Sequence, residues 1–182
     1  MTRISLPATI DDAPDASRPA LEAVKASLGS VPNLFRITAN GPAALKGYLD
    51  FSGALSKGTL PAATRERIAL AVAQVNGCDY CLSAHSYLAR NVAKLDEAEI
   101  AANRRGGSTD PKAEAAVRFA VELVEKRGQV SDAAVSAVKM AGYDDAQIVE
   151  IVAHVALNTL TNYLNEALGT PIDFPVVRRD AA

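Results

Sequence analysis

Residues 65–90 read RERIALAVAQVNGCDYCLSAHSYLAR and hold both cysteines and one of the two histidines of the 182-residue chain. The residues from Ile68 to Val75 are apolar almost all round, a pattern typical of a fully buried helix. Asn76-Gly77 interrupts that pattern, and the sequence C-x-x-C-x3-H follows at once. We therefore predict a buried helix over 62–75, a break, and a second helix over 78–88 that carries the reactive side chains.

The cysteines and the histidine of this motif share one face of a helix over 78–88, because Cys78, Cys81 and His85 lie at i, i+3 and i+7. Three residues advance a helix by about 4.5 Å, so the cysteine Cα atoms lie about 5 Å apart, close enough for a reversible disulfide. The helix dipole favours a thiolate at Cys78 in the first turn. His85, in turn, can take the proton of Cys81. By these criteria either thiol can be the reactive one.

Two other interpretations of the cysteines compete with a redox pair. Free cysteine is often a small buried apolar residue, but both cysteines in one C-x-x-C motif, with a histidine one turn later, favour chemistry. A structural zinc ion takes four ligands, and the chain offers only the two thiols, His85 and the distant His154. We therefore predict neither a metal ion nor a cofactor.

Composition sets the class of protein. The chain is 49% hydrophobic with a net charge of -2, which predicts one helical domain over 1–182, with an irregular arm over 1–16, and no nucleic-acid or membrane partner. The apolar run 148–164 is interrupted by polar residues, and the N-terminal residues lack the apolar segment of a secretory signal. We therefore predict a cytoplasmic protein, in which thiols stay reduced and a C-x-x-C pair is catalytic rather than structural.

The pattern of caps, glycines and prolines predicts an all-α fold. Besides the two helices already described, the predicted helices cover residues 18–28, 42–55, 93–103, 111–128, 131–141 and 144–168. Residues 31–35 are predicted to form an ordered turn. A shift of 80 residues aligns 68–73 with 148–153, which weakly suggests an internal helical duplication.

The last predicted helix carries many polar side chains within an apolar segment. His154 lies four residues after Glu150 and can pair with it across one turn, so we expect a satisfied structural histidine. Its other hydrogen-bonding residues are Asn158, Asn162, Tyr163 and Asn165. Because buried amides need partners, we expect this set to hold together either the reactive region or a subunit interface.

The residues Glu66, Cys78, Tyr80, Cys81 and His85 form the pattern E-x11-C-x-x-C-x3-H. This pattern resembles the signature of AhpD-like alkylhydroperoxidases in the carboxymuconolactone decarboxylase superfamily. Three further stretches resemble its branch of uncharacterised peroxidase-related enzymes: Val31-Pro32-Asn33-Leu34-Phe35, Phe51-Ser52-Gly53-Ala54-Leu55 and Asn162-Tyr163. The resemblance therefore covers most of the chain.

The resemblance implies an AhpD-like helical bundle that assembles as a homo-oligomer, a trimer or a hexamer. It implies a hydroperoxide substrate and an external thiol or dithiol reductant, such as a lipoyl- or thioredoxin-like protein. By position, Cys81 would be the peroxidatic thiol, Cys78 the resolving thiol, and His85 with Glu66 the proton relay. Spacing alone explains Glu66 equally well as a partner of the helix dipole. Tyr80 stands where well-studied members have a histidine, which puts an imidazole relay through this candidate site residue in doubt.

The leading hypothesis is a thiol-dependent peroxidase that reduces alkyl hydroperoxides through a dithiol–disulfide cycle. One alternative is a disulfide reductase or redox relay that acts on a partner protein. Another is a non-enzymatic helical oligomer that senses redox state or binds a metal. Decarboxylase members of the superfamily generally lack the cysteine pair, which weakens lactone decarboxylation as a function for this chain.

Overall fold

The computed structural model of the protein describes residues 2–179, and all regular structure within them is helical, as predicted. A 3-10 turn at Asp15–Ser17 precedes the α-helices. The helices are α1 (Arg18–Leu28), α2 (Asn33–Thr38), α3 (Pro42–Leu55), α4 (Ala62–Val75), α5 (Asp79–Asn91), α6 (Glu97–Arg104), α7 (Pro111–Glu125), α8 (Asp132–Met140) and α9 (Asp145–Leu168). Met1, which begins the predicted arm, and residues 180–182 lie outside the described residues.

Local signals set most of the helix ends. α9 begins with the predicted capping box, in which the Asp144 carboxylate accepts from the Gln147 backbone and the Gln147 side chain accepts from the Asp144 backbone. Gly29, at φ 76°, and Gly169, at φ 65°, end α1 and α9 in the left-handed conformation that glycine adopts without strain. The predicted bounds of α1, α3, α4 and α9 are confirmed.

Several segments differ from the prediction. α5 begins one residue later than predicted and continues to Asn91 rather than to residue 88, and α7 ends at Glu125 rather than at residue 128. The ordered turn predicted for residues 31–35 is wrong, because a helix, α2, begins within it. The backbone N–H of Asn33 in its first turn donates to the Asp173 carboxylate at 2.8 Å, a contact between distant parts of the chain. α6 begins at Glu97 rather than at residue 93, because Asp96 acts as its N-cap.

The helix α4 lies at the centre of the main core. It packs against α5, α6, α7 and α9, and Ile68, Leu70 and Val72 on it are fully buried. Each such side chain contributes about 1.5–3 kcal/mol through burial, which explains why the most uniformly apolar helix takes this position. α9 is continuous where α4 and α5 are separate, so the internal duplication stays a hypothesis.

The C-terminal residues 171–179, called the C-terminal strap below, lie across α5. The Ser83 hydroxyl accepts a hydrogen bond from the Val177 backbone N–H at 2.9 Å. The Asp79 carboxylate accepts from the Arg178 side chain and from the Arg179 backbone N–H, each at 2.9 Å. Apolar side chains of the strap pack against the cluster that contains both cysteines. The strap therefore closes one side of the cysteine region.

A buried carboxylate holds the loop between α6 and α7. The Glu99 side chain is only 4% exposed and pairs with Arg67 at 2.5 Å. It also accepts hydrogen bonds from Ser108, Thr109 and Asn103. Burial opposes the charged form, but these hydrogen bonds outweigh it and lower the pKa of Glu99 to about 2. The loop is thus held to the core by an ionised group.

Candidate active site

The two cysteines lie where α4 ends and α5 begins. Asn76 ends α4, Gly77 takes a left-handed φ of 68°, and Cys78 is the N-cap of α5, one position before the helix proper. The Cys78 sulfur accepts a hydrogen bond from the Cys81 backbone N–H at 3.4 Å. Both thiols are reduced and buried. The break in the chain therefore sets the cysteines one turn apart, at the positive end of the α5 dipole.

The sulfur of Cys81 is surrounded by hydrogen-bond donors. The side-chain amide of Asn165 on α9 donates to it at 3.3 Å, and the Cys78 thiol also donates to it. The hydrogen bond from Cys78 has the largest effect on the pKa of Cys81 and lowers it. Burial raises this pKa, whereas the charge of His85 and the amides of α9 lower it further. Together they lower the pKa of Cys81 to about 6. Cys81 is therefore mostly thiolate at neutral pH.

Cys78 has the opposite electrostatic character. Its side chain is fully buried, and its thiol proton is held in the hydrogen bond to Cys81. That hydrogen bond and burial raise the pKa of Cys78 far above the usual range. The helix dipole, which from the sequence favoured a thiolate at Cys78, is outweighed because only one sulfur of a close pair ionises readily. The thiolate is therefore on Cys81.

A hydrogen bond joins His85 on α5 to Glu66 on α4. His85 Nδ1 lies 2.9 Å from Glu66 Oε2, and the two side chains are 21% and 22% exposed. Burial lowers the pKa of His85, but the charge and hydrogen bond of Glu66 outweigh it and raise that pKa overall. Glu66 is in the second turn of α4 and not in the first, so it does not serve as a first-turn partner of the helix dipole. Its carboxylate binds the histidine instead.

The predicted direct contact between His85 and Cys81 is not formed. Among residues 2–179, no hydrogen bond joins the imidazole to this sulfur. His85 acts on Cys81 through its positive charge, which lowers the pKa of the thiol. The structure therefore places Cys81, His85 and Glu66 in one site, with the histidine held by the carboxylate.

A cavity of about 330 Å³ opens onto Cys81 but not onto Cys78. It lies between α2, α3, α4, α5 and α9. Its volume falls within the range of about 300–1,000 Å³ that is usual for small-molecule sites. Glu66 and His85 lie in its wall beside Cys81. A small molecule in the cavity can therefore reach the thiolate, whereas Cys78 lies behind it.

Tyr80, the residue between the cysteines that departs from the family pattern, uses its hydroxyl group in packing. The hydroxyl accepts from the Leu34 backbone N–H at 3.1 Å and hydrogen-bonds to the Asp173 carboxylate. Its ring meets that of Phe174 edge-on, with centroids 5.9 Å apart. Burial is the main reason that the pKa of Tyr80 rises, so its phenol stays protonated. Tyr80 joins α2, α5 and the C-terminal strap.

Glu150 and His154 form no hydrogen bond across the turn within residues 2–179, although the charge of Glu150 acts on the histidine. The Glu150 carboxylate accepts from the backbone N–H groups of Thr59 and Leu60, at 2.8 to 2.9 Å, and so holds the loop before α4. His154 is 5% exposed and lines the cavity. Its buried Nε2 has no hydrogen-bond partner among residues 2–179. The histidine is therefore unsatisfied within the described chain.

The contact of Asn165 with the sulfur is the feature of the site that sequence reasoning missed. Asn165 is 84 residues from Cys81, and the chain pattern assigned the amides of α9 only to a reactive region or an interface. Asn162 lies one turn before it, and its amide also helps to lower the pKa of Cys81. The Asn162 carbonyl oxygen accepts from Asn76 at 2.9 Å, beside the break before Cys78. The sequence feature that could have indicated this contact was the high density of amide side chains in an apolar helix. Tyr163 differs, being 62% exposed.

Comparison with known proteins supports the resemblance to AhpD-like proteins that the sequence motif indicated. The model of the carboxymuconolactone decarboxylase family matches residues 42–126, which include the whole motif from Glu66 to His85. An uncharacterised peroxidase-related protein with an alkylhydroperoxidase AhpD core, from Ralstonia eutropha JMP134, is 27% identical. It has a TM-score of 0.83, over 94% of this chain and 92% of that chain. These two findings support the AhpD-like carboxymuconolactone decarboxylase superfamily for this chain.

Other solved members of the AhpD-like fold have similar coverage. A peroxidase-related protein from Silicibacter sp. TM1040 is 24% identical, with a TM-score of 0.80 over 93% of this chain and 91% of that chain. The debrominase Bmp8 is 20% identical, with a TM-score of 0.79 over 95% of this chain and 94% of that chain. These two likenesses concern the fold alone, which therefore serves more than one chemistry. No protein of curated function matches this AhpD-like chain.

Within residues 2–179, no group of three or more histidine, cysteine, aspartate or glutamate residues is arranged to hold a metal ion. In the same part of this AhpD-like chain, no helix has both the length and the apolar character needed to cross a membrane.

Proposed function

We propose that this chain is a thiol-dependent peroxidase that reduces organic hydroperoxides with Cys81 as the attacking thiolate. The observation that carries the proposal is the access of the cavity to Cys81, whose lowered pKa makes it a thiolate, while Cys78 lies protonated behind it. A peroxidatic cysteine needs an ionised sulfur that its substrate can reach. A resolving cysteine needs only to be within reach of the first.

The proposed cycle balances over two half-reactions. The Cys81 thiolate attacks the outer peroxide oxygen, the O–O bond breaks, and the alkoxide leaves and takes a proton to become an alcohol. Cys81 is then a sulfenic acid. The Cys78 thiol condenses with it, which forms the disulfide and releases water. An external dithiol reduces that disulfide and is itself oxidised, so each turnover converts one hydroperoxide and one dithiol into an alcohol, water and a disulfide.

His85 and Glu66 are the proposed source of the proton for the leaving alkoxide. The charge and hydrogen bond of Glu66 outweigh burial and raise the pKa of His85, which favours the protonated imidazole. That proton is positioned in the cavity wall, close enough for its charge to stabilise the Cys81 thiolate. The same protonated imidazole therefore stabilises the thiolate before the attack and gives its proton to the leaving alkoxide afterwards.

Tyr80 has a supporting part in the proposal. Its hydroxyl holds α2 and the strap against α5, and its ring lies in the cavity wall beside Cys81. We assign it to positioning of the cysteine-bearing turn rather than to proton transfer, because a buried phenol with a raised pKa keeps its proton.

The partners in the proposal are a hydroperoxide and a thiol or dithiol donor, such as a lipoyl- or thioredoxin-like protein. A cytoplasmic location, where such donors keep thiols reduced, agrees with this chemistry. A homo-oligomer is also proposed. α9 presents apolar residues to solvent along one side: Val149, Val152, Leu160 and Tyr163 are between 43% and 67% exposed. Light scattering on the purified protein tests this part, and a monomeric mass contradicts it.

The experiment that tests the function follows peroxide consumption by the purified protein with cumene hydroperoxide and a small dithiol. Catalytic turnover, together with an intact-mass loss of the two hydrogen atoms removed in disulfide formation, after one equivalent of peroxide without dithiol, is the expected result. A disulfide relay would form mixed disulfides yet consume no peroxide catalytically. Thiols that stay unchanged after peroxide treatment would contradict the peroxidase and would leave the disulfide relay, which reacts with disulfides rather than peroxides.

A further inference from the structure

The cavity that opens onto Cys81 has a second polar region, formed by Arg65 and His154. On α9 the cavity wall extends from Thr161, one turn before the Asn165 that contacts Cys81, to His154, and seven residues of helix span about 10 Å. Between the two ends the wall carries apolar side chains such as Ala69 and Leu157. Cys81 therefore lies towards one end of the cavity and Arg65 with His154 towards the other, where the charge of Glu66 also acts on His154.

Arg65 supplies a positive charge at the polar end. Its Nη1 donates to the backbone carbonyls of Leu55 and Ser56, at 3.2 and 2.8 Å, which fixes the guanidinium against the end of α3. No carboxylate of residues 2–179 lies within ion-pair distance of it. The neighbouring Glu66 is bound by His85. The remaining donors of Arg65 are therefore available to an anion in the cavity, in the planar arrangement that suits a carboxylate.

His154 adds a neutral hydrogen-bonding group beside this charge. Its Nε2 is buried and has no partner among the described residues, and buried polar atoms normally have one. Burial and then the charge of Arg65 lower the pKa of His154 to about 4, so the imidazole is neutral at physiological pH. A neutral imidazole carries one N–H that can donate to a bound oxygen.

We propose that the cavity selects acidic organic hydroperoxides, with the peroxide at Cys81 and a carboxylate held by Arg65 and His154 at the other end. An aromatic ring or a short alkyl chain occupies the apolar middle. This inference rests on the proposed peroxidase function and names its substrate class.

The test compares two hydroperoxides that differ only at the far end: cumene hydroperoxide and its para-carboxylate derivative. The ratio of their kcat/KM values isolates recognition of the carboxylate, because the reacting group is the same. We expect the unmodified protein to prefer the carboxylate by about 10-fold or more, as one charge-assisted contact supplies. Arg65→Gln should lower the ratio by about 10- to 100-fold, Arg65→Lys by less, and His154→Leu by about 3- to 10-fold.

Arg118→Gln is the matched control, because this arginine is exposed on α7 and outside the cavity. It should leave the ratio unchanged. A binding readout that needs no turnover uses the product alcohol of the carboxylate probe in calorimetry, which should bind the unmodified protein and bind Arg65→Gln at least about 10-fold more weakly. Circular dichroism checks that each variant is folded.

The possible results distinguish a failure of carboxylate selection from a failure of the peroxidase function. A ratio near one in the unmodified protein, or a ratio that Arg65→Gln leaves unchanged, overturns carboxylate selection while peroxide consumption stands. Equal activity on the methyl ester of the probe would mean recognition by shape rather than charge, and also overturns it. If neither hydroperoxide is consumed with a dithiol present, the peroxidase function fails, and calorimetry then decides independently whether the polar end binds carboxylates.

Discussion

Replacing Asn165 with leucine removes the amide that donates to the Cys81 sulfur at 3.3 Å and keeps a similar side-chain volume. A hydrogen bond to a charged group contributes about 1.5–3 kcal/mol, and sulfur lies at the weak end of that range. One pKa unit corresponds to about 1.4 kcal/mol. The pKa of Cys81, about 6 in the unmodified protein, should therefore rise by about one unit in Asn165→Leu.

The consequence of this substitution is largest at low pH. At pH 6 the thiolate fraction of Cys81 falls from about a half to about a tenth, so alkylation by iodoacetamide slows about five-fold, and above pH 8.5 the rates converge. Peptide-resolved mass spectrometry gives the rate at each pH. The folded state should tolerate the change, because the Asn165 carbonyl oxygen is buried and has no hydrogen-bond partner among residues 2–179.

The control for this prediction is Asn158→Leu on the same helix. The Asn158 amide donates to the backbone carbonyl of His154 at 2.8 Å and not to sulfur, so this variant should keep the alkylation midpoint near pH 6. If the midpoint in Asn165→Leu also stays near pH 6, the amide does not stabilise the thiolate. The low pKa would then have to come from the hydrogen bond of Cys78, the charge of His85 and the amide of Asn162.

Three further predictions concern the reactive pair, the relay and the fold. Cys81→Ser should abolish peroxide consumption, whereas Cys78→Ser should consume about one equivalent and stop at a sulfenic acid detectable by dimedone labelling; the reverse pattern would exchange the two roles. His85→Ala should raise the pKa of Cys81 and slow its alkylation most near pH 6 to 7, with recovery towards pH 9, and Glu66→Gln should give a milder form; identical rates across this range would contradict the relay. Glu99 has a lowered pKa in the folded state, so its stabilisation is present above the unfolded pKa near 4.5 and is lost as pH falls towards 2. Urea unfolding should therefore show the unmodified protein losing about 2 kcal/mol more than Glu99→Gln over that range, and parallel pH profiles would contradict this.

Much of the fold follows from local features of the chain. The apolar residues 68–73, the capping box at Asp144 and the glycine stops each act within a few positions, so helix existence and most helix ends are readable in order. Two predictions were wrong because the helix start in question depends on more than the local sequence. The start of α2 depends on a contact with Asp173 at the other end of the chain, and the start of α6 depends on which of several nearby residues becomes the N-cap.

The candidate site is only partly local. Spacing alone brings Cys78, Cys81 and His85 near one another, because all three lie in or beside one helix. The partner of His85 also lies in the motif, at Glu66 on the preceding helix. Spacing did not reveal that the imidazole acts on Cys81 without a hydrogen bond, since the ring is held by Glu66 on the neighbouring helix.

The sequence by itself determined an all-α chain, a thiol pair at a helix start and a superfamily, because periodicity, capping and motif spacing are short-range properties. Only the tertiary structure decided which sulfur ionises, since the pKa values of Cys78 and Cys81 depend on burial and on an amide 84 residues away. It alone also placed Arg65 and the unsatisfied His154 in the cavity of Cys81. Charges and hydrogen bonds act through space, and packing sets those distances.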